Sequence, residues 1–492
     1  LSQHLWWQLT WPFFGLNAAA HTAARLVLHA LAAVTVARIA LKLGRTPLVA
    51  LVAGTLFAVT PIAFTPLYWA SGIQELLAVT LALLAVERWL GSGGRNAILA
   101  GLFGAMSILA KEPGLGLPIL FAGLLGFQRS RDRTRWAIVA ILAVVAVGEA
   151  WLEARHFAPV MDAEYRLITP VESFGNLGLY ARWMTTFGPR FEMNPSWTDA
   201  YVGLGMWAVW MAVGLAAWRR GSRLPLMACL AAILSLIPAL PLATQARAYM
   251  AFLAVPALTL VVALPAGRLR SHTFLIGAVF VLAASGYGYL VTSARVHALH
   301  ETGSPDDPVV RAAHLSRSSL TTLRVEADPP SDARLVVYQP PIRPEDFRHR
   351  TPDGRRMAAE SPRYHALGEG LGPAMYLGMN RKADWVGDLG FLPPDAIVLC
   401  ETGAGLLYWG APAEALVYGG LLHVVLGHFD LADEYFGQAQ ARGGDLTAVE
   451  WDSTRIPVSG RVFREALDRY FSQEMENDYR VWLEPVLERL MW

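Results

Sequence analysis

Ten stretches of this chain are apolar over roughly the length a helix needs to cross a bilayer: 18–41, 46–62, 73–90, 96–110, 114–128, 136–152, 200–218, 224–241, 248–267 and 272–293. A hydrocarbon core of about 30 Å takes about 20 helical residues, and nothing inside it satisfies stray backbone groups. The pattern predicts a polytopic α-helical membrane protein. Composition agrees: the 492 residues are 54% hydrophobic and 16% charged, with a mean hydropathy of +0.36. The fourth and fifth stretches are short, so their shared turn at Lys111-Glu112-Pro113 is expected within the interface. Proline lacks an N–H and disfavours helix at the residue before it, which makes Pro113 the expected break.

Loop charges orient the bundle. One set of loops carries Lys42 and Arg45, Arg88 and Arg95, Arg129 to Arg135, Arg219 to Arg223, and Arg268 and Arg270. The alternate set comprises the uncharged 63–72, the Lys111 turn, the long loop 153–199 and 242–247. The basic side is the cytoplasmic one, so residues 1–16, the Lys111 turn, the long loop and everything after about 294 are expected outside. Trp6, Trp7 and Trp11, with Phe13 and Phe14, then form an aromatic belt at the outer interface. A net charge of +1 gives no case for a nucleic-acid partner. Cys229 and Cys400 lie in segments of different character and are not expected to pair.

The composition changes near residue 300. The reading divides the chain into a membrane domain (1–293), a polar linker (294–330), a small α/β domain (331–412) and a helical region (413–492). Arg334–Tyr338, Ala396–Cys400 and Gly405–Trp409 read as strands, with a helix over 363–378. A helical hairpin follows, 415–426 and 431–441. Its Gly420, Gly427, Ala432, Phe436 and Ala439 fall where a tetratricopeptide repeat places small and aromatic residues. The tail 461–492 is predicted helical.

A charge at bilayer depth costs roughly 2.5–3.5 kcal/mol on insertion scales, so its default reading is functional. Lys111 and Glu112, side by side between apolar runs, attract attention for that reason. The plain alternative is an ammonium that snorkels to the interface and pairs with its neighbour.

Four stretches carry a family resemblance: Phe14-Gly15-Leu16-Asn17 with Leu28-His29-Ala30-Leu31; Leu56 to Pro61 with Trp69-Ala70-Ser71-Gly72; Ala110-Lys111-Glu112; and Gln245-Ala246-Arg247-Ala248-Tyr249. Over residues 1–293 they resemble the GT-C glycosyltransferases, in particular protein O-mannosyltransferase-like enzymes with tetratricopeptide repeats and their bacterial relatives. The resemblance implies transfer of sugar from a polyprenyl-phosphate carrier to an acceptor protein or glycan, on the extracytoplasmic face of a bacterial inner membrane. It implies Lys111 and Arg247 as lipid-phosphate ligands, with Glu112, Glu75, His29 and Tyr249 in support. A divalent cation is the one cofactor left open, and no protein metal site is expected.

The departures are specific. The family's catalytic aspartate belongs to a loop that would precede Leu1. Thr60, Ala63, Thr65 and Ala246 stand where the family carries His, His, Glu and Glu, while Glu75 replaces its Asp. The same scaffold without catalysis, serving as a subunit of a larger membrane complex, is therefore the rival reading. His21 and His29 share a helix face without a third ligand, and His423 and His428 read as surface or capping residues. Gly368-Glu369-Gly370-Leu371-Gly372 only loosely resembles a phosphate loop. Asp162, Glu164, Glu172 and Glu192 in the long outer loop read as ordinary solvated charges, with an acceptor or divalent-cation contact as the alternative.

Overall fold

The computed structural model describes residues 2–15, 17–69, 72–127, 131–157, 169–185, 197–241, 248–268, 273–299, 305, 307–341, 366–367, 371–402, 405–444, 456 and 460–472. The chain divides into two compact units, Leu1–Thr302 and Gly303–Trp492.

The first unit is a helical bundle: α1 (Ser2–Phe14), α2 (Ala18–Lys42), α3 (Pro47–Ala58), α4 (Phe64–Tyr68), α5 (Ile73–Trp89), α6 (Gly94–Ala110), α7 (Leu117–Phe127), α8 (Arg133–Phe157), α9 (Pro170–Thr185), α10 (Trp197–Arg219), α11 (Leu224–Leu236), α12 (Val255–Ala263) and α13 (Thr273–His297). Four helices, at 18–42, 133–152, 197–219 and 275–297, are long and apolar enough to cross a membrane, and a fifth counts if the bent pair of α3 and the following 61–68 is one span. The other apolar helices are shorter because their ends pass into 3-10 turns, as at Glu112–Gly116, Ile237–Ala239 and Leu264–Arg268. Ten full spans therefore do not follow from helix length.

Neighbouring helices α2, α3 and α5 share one apolar core with α9 to α12, and the C-terminal half of α5 shares a second with α6, α7 and α8. In the second, Trp89 stacks on Phe121 with ring centres 4.3 Å apart. The long loop expected outside contains α9, whose Leu179, Tyr180 and Ala181 are buried in the main core. Helix α9 runs beside α10 with backbones in contact, since a Cβ at Gly203 would overlap the carbonyl of Gly178. Only glycine permits that approach. Glu172 is a capping residue here: its carboxylate accepts from the Thr169 N–H and hydroxyl, both at 2.9 Å, while Thr169 Oγ1 accepts from the Glu172 N–H. Asp162, Glu164 and Glu192 lie outside the described residues.

The second unit holds α14 (Pro308–Thr322), β1 (Arg334–Tyr338), α15 (Leu371–Leu377), β2 (Asp384–Val386), β3 (Ala396–Glu401), β4 (Leu406–Gly410), α16 (Pro412–Leu426), α17 (Phe429–Ala441) and α18 (Gly460–Phe471). The stretch expected to be linker thus contains a helix, and Leu323 just beyond it is fully buried. The sheet has the order β2-β1-β3-β4, with β1 parallel to β2 and β3, and β4 antiparallel to β3. β2 is short and half exposed, too brief to register as alternation in the sequence.

Strand alternation sends Val336, Tyr338, Val398 and Cys400 to a core shared with α16, α17 and α18. The opposite face sends Leu335, Val337 and Leu399 to Leu323, Leu367 and Met379. Both faces are covered, which is why these strands read as unbroken apolar runs. Gly420 faces Phe436 across the hairpin, and Gly427 ends α16 at a left-handed φ of 78°. The hairpin packs on the sheet; among the described residues no second hairpin stacks on it. Gly368, Glu369 and Gly370 lie outside the described residues, and Leu371 and Gly372 open α15. Both cysteines are free and buried.

The two hairpin histidines are not surface residues of equal kind. His423 is fully buried with its Nε2 2.6 Å from Tyr338 Oη, and its Nδ1 lies 3.2 Å from Nδ1 of half-buried His428. A lone pair must face a proton at that contact, so one imidazole donates and the other accepts. Burial holds the His428 pKa below its ordinary value. The neutral form is the native one, so its stabilisation is full above the unfolded pKa of about 6.5 and is lost as pH falls through the lower folded value. Amide exchange of residues 412–441 in the full chain is expected to speed up, relative to intrinsic rates, on going from pH 7 to 5. The same measurement on His428→Gln is expected to show a flatter pH response; an unchanged response assigns the effect elsewhere.

Candidate functional site

Helix α6 stops at Ala110 because Lys111 leaves the helical region, with φ −170° and ψ 154°, and Glu112-Pro113 opens a 3-10 turn. The break thus falls two residues before Pro113, with Glu112, the residue that the proline directly restricts, already in the 3-10 turn. Gly114 then folds back so closely on the Ser107–Ile108 backbone that no Cβ fits. The turn is thereby rigid, and it fixes the direction of both charged side chains.

Lys111 Nζ lies 2.8 Å from Glu112 Oε1, with both side chains partly exposed. Glu75, in the first turn of α5, is 7% exposed and sits where the helix dipole favours a carboxylate. The three line a narrow cavity with Pro113, Ser235, Pro238, Ala239 and Met250, whose own volume of about 20 Å³ is room for roughly one water. Burial alone would lower the Lys111 pKa, but Glu112 and Glu75 more than offset it and hold the ammonium above its usual range. Lys111 therefore stays charged at any physiological pH.

The far wall is braced by α9. Tyr180 Oη donates toward Ala239 O at 3.4 Å and lies 3.6 Å from Met250 Sδ, while Asn176 Nδ2 donates to Leu240 O at 2.9 Å. Residues of the long loop expected outside thus brace the cavity.

The remaining expected site residues fall as follows. Tyr249, in the 3-10 turn Ala248–Ala251, is within electrostatic reach of Lys111 and meets Trp69 edge-on at 6.2 Å. His29 does not line the cavity. Its Nε2 donates to Ala58 O at 2.9 Å, and its ring lies beside Phe57 and Phe252, which stack on each other at 5.2 Å. His21 makes the equivalent contact to Gly15 O at 3.0 Å. Both histidines clamp helix ends. Arg247 lies outside the described residues. No group of three or more His, Cys, Asp or Glu converges as a metal site among the described residues.

Sequence reasoning passed over Arg25. It is 7% exposed and donates to Trp69 O at 2.7 Å, Thr22 Oγ1 at 3.3 Å and His21 O at 3.4 Å. Arg295, equally buried, donates to Pro61 O at 3.2 Å and lies over the Phe64 ring at 4.0 Å. Between them the two arginines hold both ends of the bent segment that precedes Glu75. The signal for Arg25 was its spacing, midway between His21 and His29 on one helix face.

Chemically, one ammonium and two carboxylates beside an open cavity can orient a polar group, move a proton and offset an anion. No family model matches the chain, and no curated protein matches it. The class these observations define is a helical membrane protein with a charged cavity at one end of its bundle and a small mixed-sheet unit.

Removing one member of this ion pair leaves a half-buried charge without its partner. Lys111→Met is expected to lower the unfolding free energy by roughly 1–3 kcal/mol. Lys111→Met combined with Glu112→Gln is expected to recover part of that loss. Thermal unfolding in detergent measures both, and additive losses would show that the pair is not coupled.

Proposed function

We propose that the membrane unit is a GT-C-type glycosyltransferase that takes a sugar from a polyprenyl-phosphate carrier at the outward face, with the second unit extracytoplasmic and engaging the acceptor. The observation that carries this reading is the convergence of Lys111, Glu112 and Glu75 on one open cavity. Lys111 is the cation for the departing phosphate, as a point charge that needs no planar geometry. Glu75 and Glu112 are the carboxylates available to take the acceptor's proton. Substitution at an anomeric carbon builds positive charge on the sugar and negative charge on the leaving group, so a mixed-charge cavity serves both. The ten apolar segments are read as ten traversals of the bilayer, the shorter ones completed by their 3-10 extensions.

One observation favours the rival, a scaffold subunit of a larger complex: two carboxylates already answer the charge of Lys111. A phosphate must compete with them, or bring further cations such as Arg247 into play.

The test is direct titration of the purified full chain with a short-chain polyprenyl phosphate. Saturable binding is expected, weakened about 10–100-fold in Lys111→Ala, the range for a charged hydrogen bond. Lys111→Arg is expected to recover part of it. Binding that is absent in the parent chain, or equal in parent and Lys111→Ala, supports the scaffold.

A further inference from the structure

The end of the bundle opposite the cavity holds its most buried carboxylate. Glu87, in the last turn of α5, is 1% exposed. Lys42 Nζ lies 2.7 Å from Glu87 Oε1 and donates to the Glu87 backbone carbonyl, also at 2.7 Å. Arg38 Nη2 reaches Oε1 at 3.1 Å, and Arg88 Nε reaches Oε2 at 3.3 Å. Three cations thus gather on one carboxyl group, well within a Debye length of about 8–10 Å. The carboxylate answers one of them and leaves two positive charges in excess. The end of α2 adds to the imbalance, because Arg45 has a buried Nε with no hydrogen-bond partner.

The cluster continues into an apolar face. Val27, Leu31, Val34, Arg38 and Leu41 recur at alternating spacings of four and three along α2, and every one is exposed. That spacing places them in one stripe down the helix. Arg38 is the single charge in the stripe and lies near its end, with 55% of its side chain accessible while one nitrogen is anchored on Glu87. A snorkelling arginine would need no such anchor. Here a buried carboxylate draws three cations within ion-pair distance, and the open side of the cluster adjoins an apolar track about 21 Å long at 1.5 Å per residue.

We propose that this end of the bundle is a binding site for an anionic phospholipid, with the phosphate against Arg38, Lys42 and Arg88 and an acyl chain along the α2 stripe. Charge complementarity selects the headgroup, and the stripe selects a lipid over free phosphate. The site is independent of the glycosyltransferase reading and rests only on the chain's being a membrane protein.

The test uses purified full chain in a neutral detergent, with phosphatidylglycerol, phosphatidylcholine or inorganic phosphate added. Native mass spectrometry counts bound lipid, and thermal unfolding reads its effect. Phosphatidylglycerol is expected to bind at one copy per chain and raise the unfolding temperature, and the other two to do neither. Arg38→Gln is expected to weaken binding about fivefold, and the Arg38→Gln/Arg88→Gln pair about twenty-five-fold, at ~1 kcal/mol per cation. Arg38→Lys, which keeps the charge, is expected to bind nearly as the parent does. Equal binding of the two lipids, a response to inorganic phosphate matching that to lipid, or unchanged binding in Arg38→Gln overturns the proposal. A lipid-free dimer would overturn it too, by assigning the stripe to a second copy. If Arg38→Gln fails to fold, the two-lipid comparison on the parent chain and Arg38→Lys still decides.

Discussion

The architecture depends on the cost of taking a charge out of water. An unpaired ion in a medium of low dielectric is so unfavourable that it is neutralised, paired or moved to an edge. The bundle obeys this by keeping its main buried charges at two levels. Glu75 and Lys111 meet at one level, and Glu87 collects its cations at the other. The twelve residues from Glu75 to Glu87 on α5 set those levels about 18 Å apart at 1.5 Å per residue. Between them α5 buries Ala78, Val79, Ala82, Leu83 and Ala85 against its neighbours.

The two levels differ in balance. At the Glu87 end cations outnumber the carboxylate, and each cation is fixed by it. At the Lys111 end carboxylates outnumber the cation, and a cavity remains. A balanced pair of ions makes a structural pin, whereas an unbalanced one retains affinity for something else. The imbalance is opposite in sign at the two ends, so a phosphate at the Lys111 end must compete with carboxylates, whereas one at the Glu87 end meets cations in excess.

Much of this was legible in the sequence. Apolar length marked the helices, and turn chemistry marked the Lys111 break to within two residues. Short unbroken apolar runs with β-branched residues marked β1 and β3, because strands covered on both faces are apolar throughout. Less legible were features set by tertiary contact. Helix α9 carries Glu172, Asn176 and Arg182 and reads as polar, yet its Gly178 face packs on α10. β2 is three residues long. His423 looks like any histidine near a turn until β1 brings Tyr338 to it. Arg25 has no carboxylate at helical spacing, and its shortest contact is to the Trp69 carbonyl, forty-four positions away, which only the fold supplies. The same limit applies to Glu87, whose partners Arg38 and Lys42 are more than forty positions away.

The central claim is that the two charged levels face opposite sides of one membrane, the Glu87 level inward and the Lys111 level outward. Single cysteines at Ser92, in the loop just beyond α5, and at Thr198, in the first turn of α10, report the two levels of the first unit, because the native Cys229 and Cys400 are buried. Labelling with a membrane-impermeant maleimide is the measurement, on sealed inverted vesicles and on intact cells. The account predicts that Ser92→Cys reacts only in inverted vesicles and Thr198→Cys only from the cell exterior. Reaction of both from the same side would contradict it.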